Sequence, residues 1–154
     1  MILAIDPGEQ PGYVILDRVP GEASGYFRCA FRIVDACDRL LPLRAGLVDA
    51  IVCETQWIDP QGGAPAASIL QLARTAGMQA ALAASRRGLD AVWWVSPQQW
   101  RGALVRSQGA PKAVVQARLR KSLPAGDYSG DVLDAIGIGH ACLMGIGKSR
   151  KLPR

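Results

Sequence analysis

Four carboxylates stand in three separated segments of this chain: Asp6 in MILAIDPG, Glu54 in DAIVCETQW, and Asp131 with Asp134 in SGDVLDAIGIGHA. Asp6 and Glu54 end short apolar runs, residues 2–5 and 50–53, that read as buried strands. Asp131 and Asp134 lie three residues apart on an apolar helical pattern and so share one helix face. Adjacent strand ends with a helix across them would gather all four acids. Carboxylates held that close raise one another's pKa values unless a cation lies among them. Hard divalent ions such as Mg²⁺ prefer all-oxygen ligation. The pattern points to a two-metal phosphodiester hydrolase with Asp6, Glu54, Asp131 and Asp134 as catalytic metal ligands. Two Mg²⁺ ions about 3.5–4 Å apart are expected, one to activate a water and one to stabilise the leaving 3′ oxygen. Asp6, on the central strand, is the natural bridging ligand, and Mn²⁺ is expected to substitute.

Each acid also has a plainer explanation. Asp6 precedes Pro7-Gly8, where an acid commonly caps a turn. Asp131 suits a helix N-terminus through the dipole. Glu54 is harder to dismiss, because an unpaired carboxylate at the end of a buried run is costly. The four together favour chemistry.

The 154 residues suit one domain with a real core. A composition that is 49% hydrophobic and 20% charged excludes a disordered chain. The net charge of +5 fits a polyanionic partner, and it contrasts with the local acids. A negative site in a positive protein suggests metals within and phosphates around. Cys29, Cys37, Cys53 and Cys142 form no CxxC pair and His140 is the only histidine, which argues against structural zinc. His140 reads as a packing residue. No charged-then-apolar signal segment is read at the start, and no apolar stretch reaches the roughly 18 residues needed to cross a bilayer. A reduced, cytoplasmic protein without membrane association is expected.

The elements that must position the acids follow from apolar runs and Pro/Gly punctuation. Strands are expected over Ile2–Asp6, residues 13–18 and 25–33, Ala50–Glu54 and Ala91–Val95. Tight Pro/Gly connections make the first three an antiparallel meander. Helical spacing covers residues 34–47 (interrupted by Pro42), Ala66–Arg87, 98–105, 112–123 and 131–146. Residues 58–65 form a Pro/Gly-rich loop, and residues 147–154 a short basic tail expected to fray.

This order of elements is that of the ribonuclease H fold, and the residues bring the likeness closer. ILAIDPGEQPGY resembles the first motif of RuvC-type Holliday junction resolvases. IVCETQW resembles their second motif, in which a glutamate ends the fourth strand and an aromatic follows three residues on, here Trp57. VSPQQWRGALVRSQGAPKAVVQ is similar to the segment leading into a basic helix, and DVLDAIGIGHA to the closing acidic motif. The stretch between Asp6 and Glu54 looks shorter than in the cellular enzymes, as in compact variants carried by bacteriophages. The resemblance implies a single α/β nuclease domain over residues 1–154, with a five-stranded mixed sheet flanked by helices. Strands 1–3 would form the meander and strands 4 and 5 would be parallel.

The resemblance further implies paired nicks in a four-way DNA junction, leaving a 5′-phosphate and a ligatable nick. Two opposed nicks need a C2 homodimer with one site per subunit, and Ala66–Arg87, rich in small residues, is the candidate interface. Arg101 and Lys112 match the family's basic residues near the scissile phosphate. A cation at the start of a helix opposes the dipole, so Lys112 suggests an anionic ligand. Trp57 would stack on bases at the junction centre. One of Trp93 and Trp94 at least should be core. The rival readings are a flap or branched-DNA endonuclease, a non-catalytic branched-DNA-binding module, and an actin-like ATPase half, for which the chain is too short. Whether a branch-migration motor is a partner is not written in the sequence.

Overall fold

The computed structural model describes residues 1–8, 10–23, 25–39, 48–55, 66–105, 107 and 109–151. Its elements run β1 (Ile2–Asp6), β2 (Gly12–Arg18), β3 (Phe31–Cys37), β4 (Ala50–Glu54), α1 (Ala66–Arg87), β5 (Ala91–Val95), α2 (Pro97–Val105), α3 (Lys112–Ser122), α4 (Gly130–Leu143) and β6 (Lys148–Lys151). They build one sheet in the order β3-β2-β1-β4-β5-β6. The first three strands pair antiparallel, β1 pairs parallel with β4, and β4 pairs parallel with β5. This is the mixed α/β sheet expected of a ribonuclease-H-like chain.

The apolar runs become central strands because both faces of the sheet are covered. All five residues of β1 are buried. Ala4, Val14, Leu16 and Val52 face a core layer shared with α2, α3 and α4. Leu3, Ile5, Ile15 and Ile51 face the opposite layer, where Ala76, Ala80, Ala83 and Ala84 of α1 close the sheet. This two-residue alternation is the side-chain period of a strand. Trp93 packs on the first layer and Trp94 on the second, both only partly buried.

Three elements differ from expectation. The third strand is Phe31–Cys37, not residues 25–33. Before it, the Tyr26 N–H donates to Ser122 Oγ and Phe27 enters the core, contacts that pull this segment away from β2. The helix expected from residue 34 does not start there, because residues 34–37 complete β3; residues 40–47 lie outside the described residues. The sheet has six strands rather than five. Lys148–Lys151 of the basic tail pairs antiparallel with β5, whose outer edge would otherwise lack ladder partners. His140 is fully buried, accepts a hydrogen bond from the Arg28 N–H at 3.0 Å and meets Phe27 edge-on. Burial, helped by the Arg28 charge, lowers its pKa to about 4, so the ring packs neutral. Among the described residues no helix is long and apolar enough to cross a membrane, and all four cysteines are free.

Candidate active site

Parallel pairing of β1 with β4 sets Ile5 beside Cys53, which brings the next residues, Asp6 and Glu54, to the same end of the sheet. The third acidic segment arrives on α4, which packs across β1 and β2. Gly12, the pairing partner of Asp6 on β2, permits this approach. A Cβ there would lie 2.1 Å from the Asp131 carbonyl oxygen, so any other residue would push the helix start off the sheet. Ser129 caps that start by accepting from the Val132 N–H at 3.2 Å, and its hydroxyl donates to Asp38. Asp131 then falls in the first turn, where the helix dipole favours an anion.

Asp6 and Asp134 are buried, at 7% and 3% exposure. Burial, then the charges of Glu54 and Asp134, pushes the Asp6 carboxyl up from 3.8 to about 8. Burial also raises Glu54, against a hydrogen bond from Trp100, and raises Asp134, against hydrogen bonds from Lys112 and Gln116. Glu54, Asp134 and Asp131 each add to the rise at Asp6, so the acids repel one another, and positive charge offsets this only in part.

Part of that charge comes from α3. Lys112 Nζ lies 2.5 Å from Asp134 Oδ2 and 3.9 Å from Asp131 Oδ1. Burial opposes the Lys112 charge, but the hydrogen bond and charge of Asp134, with Asp6 and Asp131 behind it, outweigh burial and raise its pKa. Carboxylates therefore already account for a cation at this helix start. Gln116, one turn further on, donates from Nε2 to Asp134 Oδ1 at 2.9 Å and to the Gly130 carbonyl at 3.0 Å. Arg101 stacks over the Trp100 ring at 5.3 Å and eases the charge of Glu54 and Asp134. Arg101 and Lys112 both stand at the acid cluster. Trp57, Arg106 and the loop of residues 58–65 lie outside the described residues.

Among the described residues no three Asp, Glu, His or Cys side chains are disposed around a single cation position. The donor set still suits a hard divalent ion: it offers carboxylate oxygens only, and burial raises the carboxyls of Asp6, Glu54 and Asp134.

Sequence reasoning missed two neighbours of these acids, Trp100 and Gln116. Trp100 Nε1 donates to Glu54 Oε1 at 2.7 Å. A signal existed for each. A buried indole needs an acceptor, and Gln116 stands four residues after Lys112, on the same helix face.

No protein-family model matches the chain, and no curated protein matches it significantly. Solved structures do. A Thermus thermophilus RuvC structure aligns with TM-score 0.64 and 19% identity, covering 97% of this chain and 99% of that chain. The fold is the RuvC fold. A second structure, T. thermophilus RuvC in complex with Holliday junction substrate, aligns with TM-score 0.63 and 20% identity, covering 97% of this chain and 98% of that chain.

Proposed function

We propose that the protein is a Mg²⁺-dependent, structure-selective DNA endonuclease that resolves four-way junctions by paired, symmetric nicks. The observation that carries the proposal is the gathering of Asp6, Glu54, Asp131 and Asp134 at one end of a RuvC-fold sheet. The structural neighbour in complex with a Holliday junction supports branched DNA as the substrate class.

In this reading Asp6, Glu54, Asp131 and Asp134 hold Mg²⁺, with Mn²⁺ able to replace it. Bound there, divalent ions supply water activation and charge stabilisation at the leaving oxygen. The chain's own side chains do the rest. Lys112 and Arg101 draw the scissile phosphate toward the acids, and Lys112 exchanges a carboxylate partner for a phosphate one. Trp57, three residues after Glu54 in sequence, is proposed to stack on bases at the crossover. A homodimer supplies the second nick. Leu70, Met78 and Leu82 on α1 are exposed and spaced along one helix face, which fits a second copy of the chain. A cytoplasmic setting, in a bacterium or a phage-infected cell, goes with this function.

A second reading has its own observation. Lys112 sits among the acids and no three of the described side chains surround one cation position, as in a module that binds branched DNA without cutting it. Cleavage of synthetic four-way junctions, flaps and linear duplex, with and without Mg²⁺, separates the two. Metal-dependent paired nicks in the junction alone are expected. Nicks in flaps at equal rate would favour a general branch nuclease, and uncut DNA in every lane would favour the binding module.

A further inference from the structure

Trp100 is fully buried, and the only hydrogen-bonding atom of its side chain is the indole Nε1–H. That N–H donates to Glu54 at 2.7 Å across 46 residues of sequence. The far side of the same ring lies against α4. At Gly137 a Cβ would stand 2.7 Å from Trp100 Cε3 and 2.8 Å from Cζ3, so a glycine in that helix makes room for the indole. Gly137 is three residues beyond Asp134, on the helix that also carries Asp131. One rigid side chain therefore spans from the helix that bears Asp131 and Asp134 to Glu54 at the end of β4.

We infer that Trp100 is a positioning residue that fixes Glu54 relative to Asp131 and Asp134. It rests on the proposed function only in taking these acids to hold a divalent ion. The indole has two rotatable bonds, and packing against α4 leaves it little freedom, so the Glu54 oxygen it contacts is aimed by the position of α4. A neutral donor on Oε1 leaves Oε2 free for a cation. Carboxylates that ligate metals commonly need such an outer partner, whose loss weakens metal binding about 10–100-fold. Glu54 is the acid that needs it most. Asp131 and Asp134 share one helix, whereas Glu54 is the last residue of β4 and shares an element with no other acid of the cluster.

The test uses the intact protein and the Trp100→Phe variant, which keeps an aromatic ring and removes the N–H. Calorimetric titration with Mg²⁺ alone should show affinity weakened about 10-fold in Trp100→Phe. Val92→Ala, a core change in the opposite layer, serves as the stability control and should stay within about twofold of the parent protein. In ¹⁵N NMR spectra the indole N–H peak missing from Trp100→Phe identifies Trp100. Glu54→Gln should move that peak upfield, and Mg²⁺ should shift it in the parent protein. In junction cleavage, Trp100→Phe should lower kcat with little change in KM, and added Mg²⁺ should recover much of the loss. Unchanged Mg²⁺ affinity in Trp100→Phe, or an indole peak indifferent to Glu54→Gln, would overturn the inference. Should the parent protein bind no divalent ion and cut no junction, the nuclease reading falls, and the Glu54→Gln peak shift alone then decides whether Trp100 holds Glu54.

Discussion

Helices α4 and α1 cover opposite faces of the same sheet in opposite ways. Every residue of α4 from Val132 to Ala141 is buried, hemmed in by β1, β2, α2 and α3. Helix α1 meets the sheet through alanines and leaves Leu70, Met78 and Leu82 in solvent, Met78 at 73% exposure. A helix apolar all round must be buried, whereas one with apolar residues on its outer face has surface left to cover. The difference separates two tasks. The α4 side carries the acids of the proposed chemistry, and the α1 side leaves apolar residues exposed where a second copy of the chain is proposed to dock.

The largest effect should come from the acids on the α4 side. Asp6→Asn, Glu54→Gln or Asp134→Asn should each reduce Mg²⁺-dependent junction cleavage by about a thousandfold or more, the scale expected when a catalytic group is removed. Junction affinity in gel-shift titrations should stay within a few fold of the parent protein. Retained turnover in all three would remove these acids from the chemistry.

Next in size is the contrast in packing. Leu133→Ala, within the α4 layer, should cost about 2–5 kcal/mol in chemical denaturation. Leu82→Ala on α1 should change the stability of the folded subunit by less than about 0.5 kcal/mol. Met78→Asp, by contrast, should convert a dimer at micromolar concentration to a monomer in sedimentation. A parent protein that is monomeric both free and on a junction would break the comparison on the α1 side.

A pH experiment sharpens it on the α4 side. The Asp6 carboxyl is raised from 3.8 to about 8, chiefly by burial and then by Glu54 and Asp134. Between those values the folded state holds more protons than the unfolded state, so metal-free stability falls as pH rises through that window. Asp6→Asn should therefore raise the Tm at pH 8, by roughly 1–4 kcal/mol in stability, and by less at pH 5. Mg²⁺ should stabilise the parent protein more at pH 8 than at pH 5. A pH-independent Tm difference between the two proteins would show that Asp6 is not so perturbed.

The smallest effect concerns Lys112. Lys112→Ala should lower the slope of log affinity against log salt by about 0.9 on duplex arms, the loss of one phosphate contact. An unchanged slope would leave Lys112 as a counterion of Asp134 alone.

How far the sequence could be read depended on where each signal lay. Strands Ile2–Asp6, Ala50–Glu54 and Ala91–Val95 and helix Ala66–Arg87 fall where apolar runs and Pro/Gly punctuation place them. The edge strands did not. Residues 31–37 are half exposed and alternate weakly, and KSRK has little strand character of its own. Both are strands because a neighbour offers a ladder. Glu54 could be picked out because a charge at the end of a buried run is expensive, and Asp6, Asp131 and Asp134 by the pattern the four make together. The contacts that hold them could not, since Trp100 and Glu54, or Lys112 and Asp134, are far apart in the chain.

By itself the sequence determined the central strands and the long helix, and it singled out the four acids as candidates. Each follows from local periodicity and from the cost of burying charge. Only the tertiary structure decided that Gly12 admits the start of α4, that Trp100 reaches Glu54 from a ring seated on Gly137, and that Lys112 turns inward to Asp134. Periodicity says which side of an element is buried. Which distant residue meets it there is fixed by the packing of whole layers, and that is a property of no single segment.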